Sequence, residues 1–109
     1  MFEPGELVLV PYPFSDLTST KRRPVLALTA PDALGDFIGC PVTSRHGRSQ
    51  ARALLPADLV EGALPLASWV RTDRVVTLHA ELVVKRFGRV SDSVRAEVAN
   101  EVCRFIGAR

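Results

Sequence analysis

The 109 residues, nearly half of them apolar, can bury one modest aliphatic core and are too few for two independent domains, so residues 1–109 are read as a single domain. The formal net charge of +2 is too small to identify a nucleic-acid binder by itself. The two thiols, Cys40 and Cys103, show neither metal-site spacing nor a disulfide framework and are expected to be buried free cysteines. The N-terminus lacks the basic start and apolar run of a secretory signal, and no stretch approaches the roughly 18 apolar residues of a membrane span. A reducing, cytoplasmic location is expected, with no membrane partner.

In chain order, Gly5 introduces a Leu/Val-rich strand from Glu6 to Tyr12, closed by Pro11 and Pro13, which cannot donate to a ladder. Residues 13–23 have little periodicity and read as a long exposed connection, a kind of loop that is usually functional or disordered. Pro24 to Thr29 and Phe37 to Thr43 read as two more strands, joined through a turn carrying Pro31, Asp32, Gly35 and Asp36. Ser44 to Gln50 is a polar, basic loop leading into a short strand at Arg52 to Leu55. A turn from Pro56 to Gly62 follows, then Val/Leu-rich strands or fragments at Leu64 to Val70, Arg74 to Leu78 and Glu81 to Arg89. Short strands punctuated by turns predict a small barrel. The last segment changes period: Val94, Val98, Val102, Phe105 and Ile106 share one helical face. Ser91 or Asp92 is placed to cap that helix and Gly107 to stop it.

Charge distribution says more than net charge. No acidic residue falls between Asp36 and Asp58, a stretch holding Arg45, Arg48 and Arg52, and a second basic cluster stands at Lys21, Arg22 and Arg23. Two such segments are able to converge on one phosphate-facing surface. Arg23 stands where Pro24 stiffens the chain entering a strand; Thr43, Ser44 and Arg45 stand where another strand ends. If these two strands are antiparallel neighbours, the start of one lies beside the end of the other, and Arg23 meets Thr43.

In these segments the sequence resembles the MazF/PemK family of toxin endoribonucleases. The resemblance is carried by Gly5-Glu6-Leu7-Val8-Leu9-Val10, Arg23-Pro24-Val25-Leu26-Ala27-Leu28, Cys40-Pro41-Val42-Thr43-Ser44 and Ser68-Trp69-Val70-Arg71-Thr72-Asp73-Arg74. It implies a mainly β fold, a small SH3-like barrel of the CcdB/PemK kind with a C-terminal α-helix. It also implies a homodimer, cleavage of single-stranded RNA without metal or cofactor, and neutralisation by a cognate antitoxin protein. The family's catalytic arginine falls on Arg23 and its catalytic threonine or serine on Thr43.

The chemistry suits these groups. When a ribose 2′-hydroxyl attacks the adjacent phosphate, a guanidinium is able to meet two phosphoryl oxygens and a hydroxyl to donate to a third position. Lys21, Arg22, Ser44, Arg45, Trp69 and Arg71 are the expected substrate contacts, with Trp69 beside Arg71 suited to a stacked base and a phosphate. Proton transfer is open between His46 and Asp16, each of which also has an ordinary reading as a solvated loop residue. The family's usual Gly-rich loop with a glutamate is replaced here by Ser15-Asp16-Leu17-Thr18-Ser19-Thr20-Lys21. Lys85, Arg86 and Arg89 read as a solvated strand edge, and His79 as structural. The alternative to an RNA-cutting enzyme is a non-catalytic toxin similar to CcdB that grips a protein partner such as DNA gyrase, a role that requires neither Arg23 nor Thr43.

Overall fold

A computed structural model describes residues 3–11, 22–45 and 50–107. The described residues form eight strands and one helix in a curled antiparallel half-barrel: β1 (Glu6–Pro11), β2 (Arg22–Ala27), β3 (Asp36–Thr43), β4 (Arg52–Leu54), β5 (Leu59–Gly62), β6 (Ser68–Val70), β7 (Val76–His79), β8 (Lys85–Val90) and α1 (Asp92–Phe105). The hydrogen-bonded order is β4-β6-β3-β2-β1-β8-β5, with β7 added to β3. The curl originates in β3. Its first half, Asp36 to Gly39, pairs with β7, while Val42 and Thr43 pair with β6. Pro41 sits at the changeover, where the strand exchanges one partner for another and a missing amide costs least; its carbonyl accepts from Arg71 N at 2.8 Å. Gly39 serves the same bend, because a Cβ there would lie 2.6 Å from Val25 Cγ1 and 2.7 Å from Leu26 O.

Strand alternation divides the apolar residues between the two faces. Leu7, Leu26, Cys40, Val42, Leu54, Val70 and Val90 bury one face against Val94, Val98 and Val102 of α1. Val8, Val10, Val25, Ala27, Phe37 and Leu78 form a second cluster on the other. Ser91 caps α1, its Oγ accepting from Val94 N at 3.3 Å, and Gly107 leaves the helix at φ +85°. Phe105 and Ile106 do not complete the apolar face; both are exposed, since the helix outruns the sheet beneath it. Of the thiols, Cys40 is buried but Cys103 only half so. Burial pushes the Cys40 pKa up to about 12, helped by the nearby Asp73 charge.

Several boundaries depart from the sequence pattern. The expected Pro56–Gly62 turn is a single 3-10 turn, Pro56 to Asp58, followed by β5. Asp58 closes that turn by accepting from Leu55 N at 2.8 Å, and the freed chain pairs with β8. Only Ser68–Val70 of the expected Leu64–Val70 strand is a strand, Pro65 having no donor to offer. Ala80 to Leu82 forms another 3-10 turn, capped by His79, whose Nδ1 accepts from Glu81 N at 3.1 Å. Nδ1 is therefore unprotonated, and Nε2–H donates to Leu34 O at 2.9 Å. His79 is structural, as its setting between Leu78 and Ala80 suggested.

β1 and β8 are out of step by one residue: Leu7 faces Gly88 while Val8 faces Arg86, so Phe87 is the extra residue of a bulge. β5 lies against this bulge through Gly62, at φ +77°, where a Cβ would fall 2.2 Å from Phe87 O. Gly62→Ala therefore meets both a forbidden dihedral and a backbone clash. Denaturant unfolding is expected to register a loss of at least about 2 kcal/mol, whereas an alanine at the unhindered exposed Glu81 is expected to be within about 0.5 kcal/mol of the parent.

Candidate functional site

β2 and β3 are antiparallel neighbours in the register Val25↔Pro41, Leu26↔Cys40, Ala27↔Gly39. Carried two residues further, that register sets Arg23 opposite Thr43. Arg23 is also paired with Val10 of β1, and Thr43 with Trp69 of β6. Arg23, Thr43 and Trp69 thus form one cross-strand row on the face of Val10 and Val25, the face away from α1. Arg22 points by alternation to the helix side, with Pro24 and Leu26.

The Thr43 hydroxyl is held locally. Its oxygen accepts from Arg45 N at 3.0 Å as the chain turns out of β3, and Arg45 O lies at 3.4 Å. One lone pair is thereby occupied, while the hydroxyl hydrogen has only a weak, long contact and is able to turn toward an acceptor.

Arg23 and Thr43 border a groove of about 430 Å³ that opens at the strand ends. Arg22 and Lys85 line it from β2 and β8; Ser44 and Ser68 add hydroxyls. Its apolar lining includes Leu9, Pro24, Val42 and Phe87, with the Ala63–Leu66 segment as a wall. None of the described residues lining it is acidic. The described lining is thus cationic and apolar in mixture, with hydroxyls but no carboxylate.

Arg71 stands apart from this cavity. Thr72 is fully buried, so the flanking Arg71 and Asp73 project together. They form a bidentate pair, Nε to Oδ1 at 2.9 Å and Nη2 to Oδ2 at 2.8 Å. The hydrogen bonds from Arg71 hold the Asp73 carboxyl below its ordinary range, against some opposition from burial, and Asp73 raises the Arg71 pKa in turn. A phosphate at Arg71 would compete with a carboxylate already in place. Trp69, half-buried, is likewise outside the groove lining. Lys21, Asp16 and His46, expected to contact substrate or to move protons, lie outside the described residues, as does Arg48.

Two basic expectations resolve differently. Arg52 does not join a phosphate-facing surface: it donates to Asp58 at 3.2 Å and to Glu97 of α1 at 2.6 Å, pinning β4 to the helix. Burial works against its charge, but Glu97 and Asp58 outweigh that and raise its pKa. On β8, Arg86 contacts Glu61 at 2.8 Å and the buried Glu6, and Arg89 reaches Glu61 at 3.3 Å. Those two are a structural ion-pair cluster. Lys85 alone of the three turns to the groove and has no ion-pair partner among the described residues. Lys85 and Phe87 were not recognisable as groove residues, since their place depends on β8 pairing with β1. Among the described residues no group of three or more His, Cys, Asp and Glu comes together as a metal site, and no helix is long and apolar enough to cross a membrane.

Residues 3–106 match the family model described as PemK-like, MazF-like toxin of type II toxin-antitoxin system. The chain belongs to that family. No curated protein matches it by sequence. Among solved structures it is similar to MazF from Deinococcus radiodurans, with 23% identity, a TM-score of 0.69, and coverage of 97% of this chain and 96% of the other. It is similar also to the Mycobacterium tuberculosis toxin MazF-mt6, with 21% identity, a TM-score of 0.69, and 93% and 95% covered. A mycobacterial endoribonuclease in complex with its cognate antitoxin gives 17% identity and a TM-score of 0.70, with 97% and 93% covered. These likenesses establish the MazF-like fold, a curled antiparallel half-barrel with one C-terminal helix.

The Arg71–Asp73 pair has a testable pH signature. Because the folded-state pKa of Asp73 is depressed, its contribution is present above the ordinary carboxylate value near 4 and is lost as pH falls through the folded value. Asp73→Asn is expected to cost on the order of 1 kcal/mol in urea unfolding at pH 7, a gap that closes below about pH 4.

Proposed function

We propose that this MazF-like toxin is a metal-independent endoribonuclease acting on single-stranded RNA, with Arg23 and Thr43 as its catalytic residues. Toxins of this family are endoribonucleases. The observation that carries the reading for this chain is the register of β2 and β3, which brings a guanidinium and a hydroxyl to the rim of one groove without an acidic lining residue.

The reaction starts from a ribose 2′-hydroxyl, whose oxygen bonds to the adjacent phosphorus while the bond from phosphorus to the 5′-oxygen breaks. The 2′ proton is taken up by a base and the 5′-oxygen gains one, so the ends are a 2′,3′-cyclic phosphate and a 5′-hydroxyl. Negative charge grows on the phosphoryl oxygens meanwhile. Arg23 is suited to meet two of them, and Thr43 to turn its hydroxyl hydrogen from the long contact with Arg45 O to the phosphate, both from rigid strands rather than loops. Arginine, with a pKa above about 12, stabilises charge far better than it moves protons. His46 and Asp16 are the candidates for acid and base. Ser44, Arg45, Arg22 and Lys21 supply the approach to the phosphate chain.

The assembly follows from the family. Neighbouring structures include MazE-MazF complexes from Deinococcus radiodurans, and a cognate antitoxin is the expected partner here. A homodimer in the cytoplasm is the expected working form; the exposed Phe105 and Ile106 leave apolar surface for association. A toxin that merely grips a protein has no use for the paired Arg23 and Thr43.

Purified protein is expected to cut single-stranded RNA in excess chelator, with primer extension on a mixed RNA pool locating the sites. Arg23→Ala is expected to abolish cutting in protein that still folds, as circular dichroism checks, and Thr43→Ala to slow it on the order of 100-fold. Undiminished cutting by a folded Arg23→Ala protein overturns the assignment. In sedimentation at micromolar concentration the protein is expected to run as a dimer.

A further inference from the structure

The wall along one side of the groove has open space on both of its faces. Residues 63–66 line the groove and also a second cavity of about 420 Å³ behind it, whose other lining is Leu54, Leu55, Pro56, Leu59, Gly62 and Ala67. That outer cavity presents no charged side chain. The wall stands between β5 and β6, outside both ladders. Among the described residues the one hydrogen bond made by residues 64–67 comes from the Ser68 hydroxyl, which donates to Leu66 O at 2.9 Å. Ser68 is itself buried and is fixed by pairing with Leu54 of β4. Leu64 packs against the helix-side core, so Leu64 and Ser68 are anchors, with Pro65, Leu66 and Ala67 the span between them.

Apolar burial does not hold this span where it is. Leu66 is 64% exposed, and a move back into the outer cavity exchanges water for Leu54, Leu55 and Leu59, which is a gain in buried apolar surface. One neutral hydrogen bond opposes the move, worth roughly a two- to tenfold preference. We infer that residues 65–67 are a strap with two seats, latched beside the groove by the Ser68 hydroxyl and received by the outer cavity when unlatched, so that Ser68 is a positioning residue that sets the width of the groove. A ligand as bulky as single-stranded RNA selects the retreated strap, and its apparent affinity falls with the fraction of molecules still latched. Naming RNA as that ligand rests on the ribonuclease reading; the two seats do not. Arg23 and Thr43 are fixed by ladders that the strap does not join, so its position acts on binding and not on the chemical step.

Two measurements test the strap, the first without RNA. In protein carrying Leu66→Cys and Cys103→Ser, the remaining native thiol is Cys40, buried and with its pKa pushed up to about 12, so reaction with an aromatic disulfide reagent reports position 66. Adding Ser68→Ala is expected to slow that reaction about threefold, because the unlatched strap retreats. Adding Leu55→Trp as well, which fills the outer cavity from an exposed position, is expected to restore the rate. The second measurement is fluorescence anisotropy with a short RNA made uncleavable by a 2′-deoxy sugar at the mapped scissile nucleotide. Ser68→Ala is expected to tighten binding about threefold, Leu55→Trp to weaken it by about as much, and the double variant to bind as Leu55→Trp does. On cleavable RNA the Leu55→Trp effect is expected in KM, with kcat within about twofold of native. Circular dichroism checks each fold, and Leu55→Phe takes the place of Leu55→Trp if the larger ring disturbs it. Labelling that Ser68→Ala leaves unchanged or speeds overturns the strap, as does RNA binding by folded Leu55→Trp protein within about 1.5-fold of native. Weaker RNA binding by Ser68→Ala overturns it too and makes Ser68 a substrate contact. Native protein that neither binds nor cuts RNA removes the ribonuclease reading, and the labelling rates then decide the strap alone.

Discussion

The structure depends on one strand belonging to two sheets. β3 gives its first half to β7 and its last two residues to β6, and everything that curls the sheet follows from that exchange. The exchange needs a place where the ladder has a gap and where backbones approach closely, and Pro41 and Gly39 supply these within three residues. Arg71 N then closes onto the carbonyl that Pro41 presents, so the changeover is hydrogen-bonded. A straight β3 would carry Thr43 into the plane of the main sheet; the bent one delivers it to the rim of a groove.

This also explains why so few groups define the candidate site. Each of Arg23 and Thr43 is fixed by a partner on its other side, Val10 for the first and Trp69 for the second. Their separation is therefore a matter of ladder geometry, with little left to side-chain rotamers. The remaining cations of the region are divided by their partners. Arg52 is committed to Asp58 and Glu97, Arg86 to Glu6 and Glu61, and Arg71 to Asp73. Paired guanidiniums hold the half-barrel together and attract little else, since a carboxylate already occupies the fork. Lysine at position 85 lines the groove without such a partner among the described residues.

How far the sequence discloses this depends on the range of the interaction. Local signals were legible: the Ser91 cap, the Val94–Val98–Val102 stripe, the turn built on Asp32, and the strands flanking Arg23 and Thr43 all follow from near neighbours. The pairing of those two strands was inferable from topology alone, and with it the meeting of Arg23 and Thr43. Long-range partnerships were not legible. Nothing near Leu59 announces a strand, because β5 exists through pairing with β8. Nor does a run of basic residues disclose that Arg52 reaches across 45 positions to Glu97 while Lys85 faces a cavity. Phe105 and Ile106 fit the helical period and yet are exposed, since periodicity records which side of a helix is apolar but not where its support ends.

The Leu64–Ala67 stretch, finally, bridges β5 and β6 outside any strand, held at one end by the tight fit of Gly62 on the Phe87 bulge and at the other by the short β6 ladder. Its composition is free of the constraints that fix the hydrogen-bonded frame. Substitutions or small insertions there reshape one side of the groove while leaving the spacing of Arg23 and Thr43 untouched. A lineage of such proteins is thereby free to diversify what it recognises at little mechanical risk, with the reactive geometry inherited intact.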